Sequence, residues 1–195
     1  MAVFLISITP WLVRNHEVFG RFVFIRSNFG FELRLGNYEG ADGEWKWQRH
    51  PSQNPEEFAA YQQMGELAFV HERGREALEF IRTHPATFAA LTLKRVFYFW
   101  AGPPRASGTP GLSRSRYPIF VLSTVLALCG LVLVVGQRNP GAFLYAALVL
   151  VYPAVYYITF PHPRYRHPIE PEMMILGVYF IVFASRRFAR RADKP

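Results

Sequence analysis

Three long apolar runs dominate the C-terminal half of the chain, at residues 117–136, 141–160 and 173–185. A helix needs about 20 predominantly apolar residues to cross a bilayer. The first two runs contain no charged residue, and the third becomes long enough if its helix begins near Pro168. The pattern therefore predicts three transmembrane helices, over 118–136, 141–160 and 168–185.

The connection between the first two runs is short, with only QRNP at 137–140. Such a short connection predicts a tight helical hairpin. Pro153 lies inside the second run and is expected to kink its helix, because proline lacks the N–H that would bond to the preceding turn. Neighbouring helices can satisfy the freed carbonyl group within a membrane.

The chain opens on another apolar run, MAVFLISITPWLV at 1–13, which is shorter than a spanning helix requires. Trp11, directly after Pro10, is typical of a helix end at the level of the lipid headgroups. The run fits a short N-terminal anchor or the end of a membrane helix that begins before this sequence. We favour the second interpretation.

Residues 14–117 have the mixed polarity of a water-exposed lobe. Within 22–37, apolar residues alternate with polar residues and glycines, which is the periodicity of a β-strand. Residues 36–55 are rich in Gly, Asp, Asn and Pro and predict a loop. The alternating apolar positions of the expected strand are Phe29, Phe31, Leu33 and Leu35.

A helix is expected to begin after this loop, at Asn54. Asn54 suits an N-cap, Pro55 suits the first helical position, and the acids at 56–57 suit the positive end of the helix dipole. The helical pattern continues to residue 84, with a bend or interruption expected at Gly74. The Pro-, Gly-, Ser- and Arg-rich segment 102–116 predicts a flexible connector.

A second helix is expected near 85–101, where the sequence is apolar nearly all round. Lys94 and Arg95 lie side by side in it, and an aromatic cluster closes it. This composition fits a helix lying on the bilayer surface and equally a buried helix of the lobe. Together these elements predict an α-helical integral membrane protein with a small α+β extracytoplasmic lobe.

Composition and charge place this protein at a membrane. Hydrophobic residues make up 51% of the chain and charged residues 18%, which is below the ~25% of an average soluble domain. The formal net charge is +8, and the basic excess accompanies the apolar segments, which favours anionic lipid as a partner. Without zinc-finger spacing, an RNA-binding signature or a long basic helix, no nucleic-acid partner is expected. A single cysteine, Cys129, permits no internal disulfide.

The orientation follows from the basic tail at 186–195. Cytoplasmic segments carry an excess of Lys and Arg, so the tail is expected inside and the 14–117 lobe on the extracytoplasmic side of the inner membrane. Counting the tail and short loops, six Lys/Arg then lie inside and two outside. If three arginines near membrane ends, Arg14, Arg114 and Arg116, are also counted as outside, the count becomes six Lys/Arg inside and five outside.

The segment PHPRYRHPIEP, residues 161–171, carries the candidate chemistry. In an extended, proline-bounded chain, Arg164 and Arg166 would project together, and two guanidinium groups can grip a phosphate. Tyr165 can stack on a sugar, and Glu170 can orient an arginine or exchange a proton. The alternative is that these side chains only contact lipid headgroups. A metal site at His162 and His167 is not expected, because no third ligand is evident.

Two stretches resemble bacterial GT-C glycosyltransferases of the family 39, dolichyl-phosphate-mannose–protein mannosyltransferase-like group. PWLVRNHEVFGRFVFIRSNFGFELRLGN at 10–37 resembles the segment in which that chain leaves a membrane helix and enters its extracytoplasmic lobe. RYRHPIEP at 164–171 resembles its Arg-Tyr-Arg-x-Pro-x-x-Pro motif at the outer end of a late membrane helix. The order of lobe, helical hairpin, arginine motif and last helix also fits.

The resemblance implies a partial GT-C-like architecture and transfer of a sugar from a polyprenyl-phosphate-linked donor to an extracytoplasmic acceptor, either protein or glycan. The catalytic acid of such enzymes lies in a first extracytoplasmic loop, which this chain lacks, so no catalytic residue is expected here and no activity is expected from the chain alone. No cofactor is expected in this chain, and the need of the complete enzyme for a divalent cation is left open. The implied donor-binding residues are Arg164, Tyr165, Arg166, His167, Glu170, Arg14 and Asn15.

Two other functions remain open from the sequence. The first is a non-enzymatic, membrane-anchored binding or accessory protein that uses an aromatic loop with Trp45 and Trp47. The second is an incomplete transporter bundle, which is disfavoured because the predicted spanning segments contain no intramembrane charge.

Overall fold

The structure is a computed structural model that describes residues 2–102 and 110–192. The centre of the expected connector, 103–109, and the last residues of the expected basic tail, 193–195, lie outside the described residues. Elsewhere the connector is not flexible coil, because residues 110–116 belong to a helix. The helices are α1 (Ala2–Phe19), α2 (Phe29–Gly36), α3 (Pro55–Met64), α4 (Glu66–Thr83), α5 (Pro85–Ala101), α6 (Pro110–Gly136), α7 (Ala142–Val151), α8 (Ala154–Ile158) and α9 (Glu170–Ala192).

The expected α+β lobe is wrong, because the described part of the chain contains helices and no β-strand. The segment expected as a strand divides into an irregular stretch and helix α2. No second strand is present among the described residues to accept its backbone hydrogen bonds, whereas a helix satisfies them internally. Phe31 and Leu35 are one helical turn apart and are both buried, so the same apolar positions serve a helix.

The chain divides into two compact units, one formed by Met1–Ala41 with Lys46–Phe88 and the other by Asp42–Trp45 with Ala89–Pro195. In the first unit, α2 packs against α4. Gly30 and Gly74 allow this close approach: a Cβ on Gly74 would lie 3.0 Å from the Cα of Gly30. Both positions therefore require the smallest side chain.

The start of α3 is as expected from the sequence. The Asn54 side chain accepts hydrogen bonds from the backbone N–H groups of Glu56, at 3.0 Å, and Glu57, at 3.2 Å. The expected break at Gly74 is wrong, since α4 runs through it. The helix breaks at Gly65 instead, whose φ of +73° is readily adopted only by glycine.

In the second unit, α6 and α9 form the main helix pair. Gly130 of α6 lies against the backbone of Leu176, and Gly177 of α9 lies against Leu126. Small residues at such crossings let helix backbones approach closely, as in membrane helix pairs. The buried core beside this crossing includes Phe99, Leu131, Val149, Ile169 and Met173.

Helices α6 and α9 run in the same direction. At one end, Thr124 of α6 contacts Arg166, just before α9; at the other end, Gln137, just after α6, accepts a hydrogen bond from the Tyr179 hydroxyl of α9 at 2.5 Å. The part of the chain that connects α6 to α9 must therefore run back along the length of this helix pair. Helices α7 and α8 make this return, separated at Pro153 where the sequence predicts a kink.

Two helices in the described part of the chain are long and apolar enough to cross a membrane, over Pro118–Gly136 and Pro163–Arg190. Fewer than a third of the residues in either apolar stretch are buried, which is less than expected for the core helix of a soluble protein. Of the three spans expected from the sequence, the middle one falls short, since the apolar helix there covers only Ala142–Ile158.

Candidate functional site

Residues 161–171, here called the arginine segment, form two 3₁₀ turns and the start of α9. The turns cover Pro163–Tyr165 and His167–Ile169. The expected extended conformation is wrong because a proline stands at the first or second position of each turn, where its fixed φ favours helical geometry. The imidazole Nδ1 of His162 caps the first turn by accepting a hydrogen bond from the backbone N–H of Arg164, at 3.3 Å.

This turn conformation separates the two arginines that were expected to project together. Arg164 is exposed, and its guanidinium carbon lies 5.5 Å from the centre of the Tyr165 ring. Arg166 is buried, with 1% of its surface exposed. A phosphate gripped by both guanidinium groups is therefore incompatible with this arrangement.

Arg166 is bound instead to the C-terminal end of α5 and to α6. Its Nη1 donates to the carbonyl oxygens of Trp100 and Phe120, at 3.1 and 3.3 Å, and to the hydroxyl of Thr124, at 3.0 Å. The Thr124 hydroxyl also donates to the Trp100 carbonyl, at 2.7 Å. A cation at the C-terminal end of a helix is stabilised by the unpaired carbonyl groups and the helix dipole. Arg166 thus ties the arginine segment to α5 and α6.

A second buried arginine, Arg95, has a similar role that the sequence did not indicate. Its surface is fully buried, and its Nη1 donates to the carbonyl oxygens of Ile158, at 3.0 Å, and Tyr157, at 3.4 Å, at the end of α8. Leu91 and Phe99, one turn to either side of Arg95 on α5, are buried as well. This spacing of four residues is the sequence signal that could have placed Arg95 on the packed face of the helix.

Aromatic rings pack around Tyr165 in the same unit. The Tyr165 ring stacks on that of Tyr156, with centres 4.5 Å apart, and lies 6.1 Å from Phe160 and 5.6 Å from His162. The Trp45 ring extends the cluster by stacking on Phe160 at 6.3 Å. Tyr165 is therefore held in place by its neighbours, and its ring contacts the exposed Arg164.

The remaining polar groups of the arginine segment lie near Arg164 in sequence. His167 is exposed, and its Nδ1 lies 3.0 Å from a carboxylate oxygen of Glu170. The other carboxylate oxygen of Glu170 lies 3.8 Å from Nε of Arg166. Burial, reinforced by the positive charges of Arg164 and His167, lowers the pKa of His162. His162 is consequently neutral at pH 7 and can accept the N–H of Arg164.

Arg14 and Asn15, the other two candidate residues, belong to the first unit. The buried Asn15 amide donates to the carbonyl oxygens of Val23, at 3.1 Å, and Ile25, at 3.5 Å. Arg14 is exposed and donates to the Asn15 side-chain oxygen at 3.0 Å. Asn15 therefore fixes the main chain that follows α1, and only Arg14 of the two presents its side chain outward.

The two tryptophans of the alternative aromatic-loop hypothesis fall into different units. Trp45 packs in the aromatic cluster of the second unit, and Trp47 stacks on His50 in the first, with ring centres 6.0 Å apart. In residues 2–102 and 110–192, no three His, Cys, Asp or Glu side chains lie close enough together to hold a metal ion.

Comparison with protein-family models, with curated proteins and with solved structures finds no match to this chain.

Proposed function

We propose that this protein is the C-terminal portion of a membrane glycosyltransferase that takes a sugar from a polyprenyl-phosphate-linked donor, and that Arg164 contacts the phosphate of the carrier. The observation that carries the proposal is the position of Arg164: its side chain is exposed, lies over the Tyr165 ring and stands at the start of the candidate spanning segment Pro163–Arg190. A lipid-linked phosphate sits at the headgroup level, where such a residue would meet it. The motif order of the sequence supports the same class.

The other residues of the arginine segment support Arg164 in this proposal. Arg166 positions the turn, since its guanidinium is bound to carbonyl and hydroxyl groups of α5 and α6. Glu170 pairs with His167 and lies close to Arg166. We therefore assign it the role of orienting these side chains and not that of a general base. Tyr165 provides the ring beneath Arg164. We assign no catalytic residue to this chain, and the acceptor, protein or glycan, is left open.

The proposed topology has three crossings of the inner membrane, with the basic tail in the cytoplasm and the α1–α4 unit on the extracytoplasmic side. Support for the third crossing comes from α6 and α9 running in the same direction. If both cross the bilayer, the chain between them must cross it in the opposite direction, through the segment 142–158. The 17 residues of Ala142–Ile158 extend about 25 Å as a helix, close to the ~30 Å of a hydrocarbon core.

Binding of polyprenyl phosphate to the full chain in nanodiscs tests the proposed contact. Arg164→Lys retains the charge but not the planar fork, and Arg164→Gln removes both. Arg138→Gln is the matched control, an exposed arginine in the turn after α6. A charge-assisted hydrogen bond contributes ~1.5–3 kcal/mol, so we expect both Arg164 variants to bind roughly tenfold or more weakly, with the control unchanged. Equal affinity in all four proteins, or no binding by the folded wild type, refutes the contact.

A second candidate function is a non-enzymatic, membrane-anchored accessory protein in which Arg164 contacts phospholipid headgroups. The burial of Arg166 favours this candidate, because a single exposed guanidinium is enough to anchor a helix end but offers one fork instead of two. In this case Arg164→Lys would change lipid binding very little, since both the arginine and the lysine side chain reach the headgroup layer. The same binding comparison therefore separates the two functions.

A further inference from the structure

The segment between α1 and α2 exposes large apolar side chains. Phe22, Phe24 and Ile25 are 71%, 52% and 47% exposed, whereas Val23 between them is buried. We call residues 22–25 the apolar loop. Loops normally expose polar residues to water, so three neighbouring exposed apolar side chains indicate a surface that meets something other than water.

The outward display of these side chains is fixed by hydrogen bonds to α1. The carbonyl oxygen of Ile25 accepts from the Trp11 indole N–H at 3.0 Å, and that of Val23 accepts from the buried Asn15 amide at 3.1 Å. In an extended segment, successive side chains point to opposite sides. With Val23 turned inward and its carbonyl group bound, Phe22 and Phe24 are held outward together.

Positive charge borders the apolar loop on both sides. Arg21 and Arg26 are exposed, and neither forms an ion pair with a carboxylate in the described part of the chain. Together with His71 and Arg75 they line a groove of about 700 Å³ in the first unit, whose floor includes apolar residues of the loop and of α4. Arginines beside exposed aromatic side chains are complementary to a layer of anionic headgroups above acyl chains.

We propose that the apolar loop is a membrane-contacting surface that inserts into the interface of an anionic bilayer. Phe22 and Phe24 lie below the headgroups, and Arg21 and Arg26 bind the lipid phosphates. A lipid surface fits better than a protein partner because the loop follows α1, whose first turns also expose apolar side chains. The chain moreover carries two candidate spans. The proposal uses no residue of the arginine segment and does not depend on carrier binding.

Depth measurements on the full chain test the insertion. In a Cys129→Ala background, single cysteines replace Phe22 or Phe24, and the control is Phe58→Cys on α3, where the native side chain is 46% exposed. Each carries an environment-sensitive fluorophore in nanodiscs of phosphatidylglycerol and phosphatidylcholine. We expect lipid-borne quenchers to reduce the signal at positions 22 and 24 at least about twofold more than at 58, and aqueous iodide to do the reverse.

The role of the arginines is tested separately. Arg21→Gln combined with Arg26→Gln should abolish the deeper insertion in phosphatidylglycerol relative to pure phosphatidylcholine, whereas Arg82→Gln, an exposed arginine on α4, should leave it intact. Equal iodide access at positions 22 and 58, or an unchanged lipid preference in the double variant, overturns the proposal. Protection of position 22 from both quenchers also overturns it, since a protein would then cover the loop.

Discussion

Gly130 of α6 lies so close to Leu176 of α9 that any side chain on the glycine would collide with the Leu176 carbonyl group, while the Leu176 Cα would lie 3.0 Å from the added Cβ. The obstacle is backbone and cannot rotate away. The close approach of α6 and α9 at this point therefore requires glycine at position 130.

Replacing Gly130 with alanine should destabilise the second unit. Overpacking of this kind costs about 1–3 kcal/mol, and here the backbone of α9 must move to relieve it. Gly136→Ala is the matched control, on the same helix with nothing within 4 Å of the added atom. Thermal unfolding in detergent should show a lower midpoint for Gly130→Ala alone, and equal midpoints for the two variants would contradict the crossing.

Replacing Arg166 with glutamine should destabilise the fold far more than the same change at Arg164. The buried guanidinium donates to two carbonyl groups and to the hydroxyls of Thr124 and Ser123, and each charge-assisted hydrogen bond contributes about 1.5–3 kcal/mol. We expect a loss of at least about 3 kcal/mol for Arg166→Gln and less than about 0.5 kcal/mol for Arg164→Gln. Similar losses in unfolding free energy would show that Arg166 does not tie the helices together.

The cap at His162 predicts a dependence of stability on pH. Because burial lowers the pKa of His162 in the folded protein, its contribution is complete above the unfolded value of about 6.5. This contribution is lost as the pH falls below 6.5 towards the lowered folded pKa. His162→Asn retains an acceptor for the Arg164 N–H but does not titrate, so the unfolding midpoint of the variant should fall less between pH 7 and pH 5. Parallel pH profiles for wild type and variant would rule out this role.

The proposed topology predicts that Gln53, in the first unit, and the end of α9 lie on opposite sides of the membrane. In a Cys129→Ala background, Gln53→Cys in the first unit should react with an impermeant thiol reagent in intact cells. Phe188→Cys, exposed near the end of α9, should react only after permeabilisation. Labelling of both cysteines in intact cells would mean that the segment 142–158 does not cross.

The sequence predicts elements well where a local interaction decides the structure. The Asn54 cap is such a case, because the side chain bonds to N–H groups two and three residues away. Prediction from the sequence fails where a contact between residues distant in the chain decides the structure. The alternation at 29–35 fits a strand, but the approach of Gly74 and the lack of a pairing strand in the described residues make this segment a helix.

The same difference between local and distant interactions applies to the candidate site. Residue chemistry drew attention to the arginine segment, and its prolines are compatible with a turn as well as an extended chain. The exposure of Arg164 and the burial of Arg166 could not be predicted, because the acceptors of Arg166 lie 42 to 66 residues away on α5 and α6. The sequence left open whether the helix with Arg95 lies on the bilayer surface or is buried, since the partners of Arg95 at the end of α8 are 62 and 63 residues distant.

The most direct test of the central claim compares the affinity of the chain for polyprenyl phosphate with that for the corresponding polyprenol, in wild type and in Arg164→Lys. The two lipids differ only in the phosphate, so their ratio isolates its contact from the contribution of the hydrocarbon chain. We predict that wild type prefers the phosphate at least about tenfold and that Arg164→Lys loses most of this preference while binding polyprenol unchanged. A ratio near one in wild type, or the same ratio in both proteins, would contradict the assignment of Arg164 to the carrier phosphate.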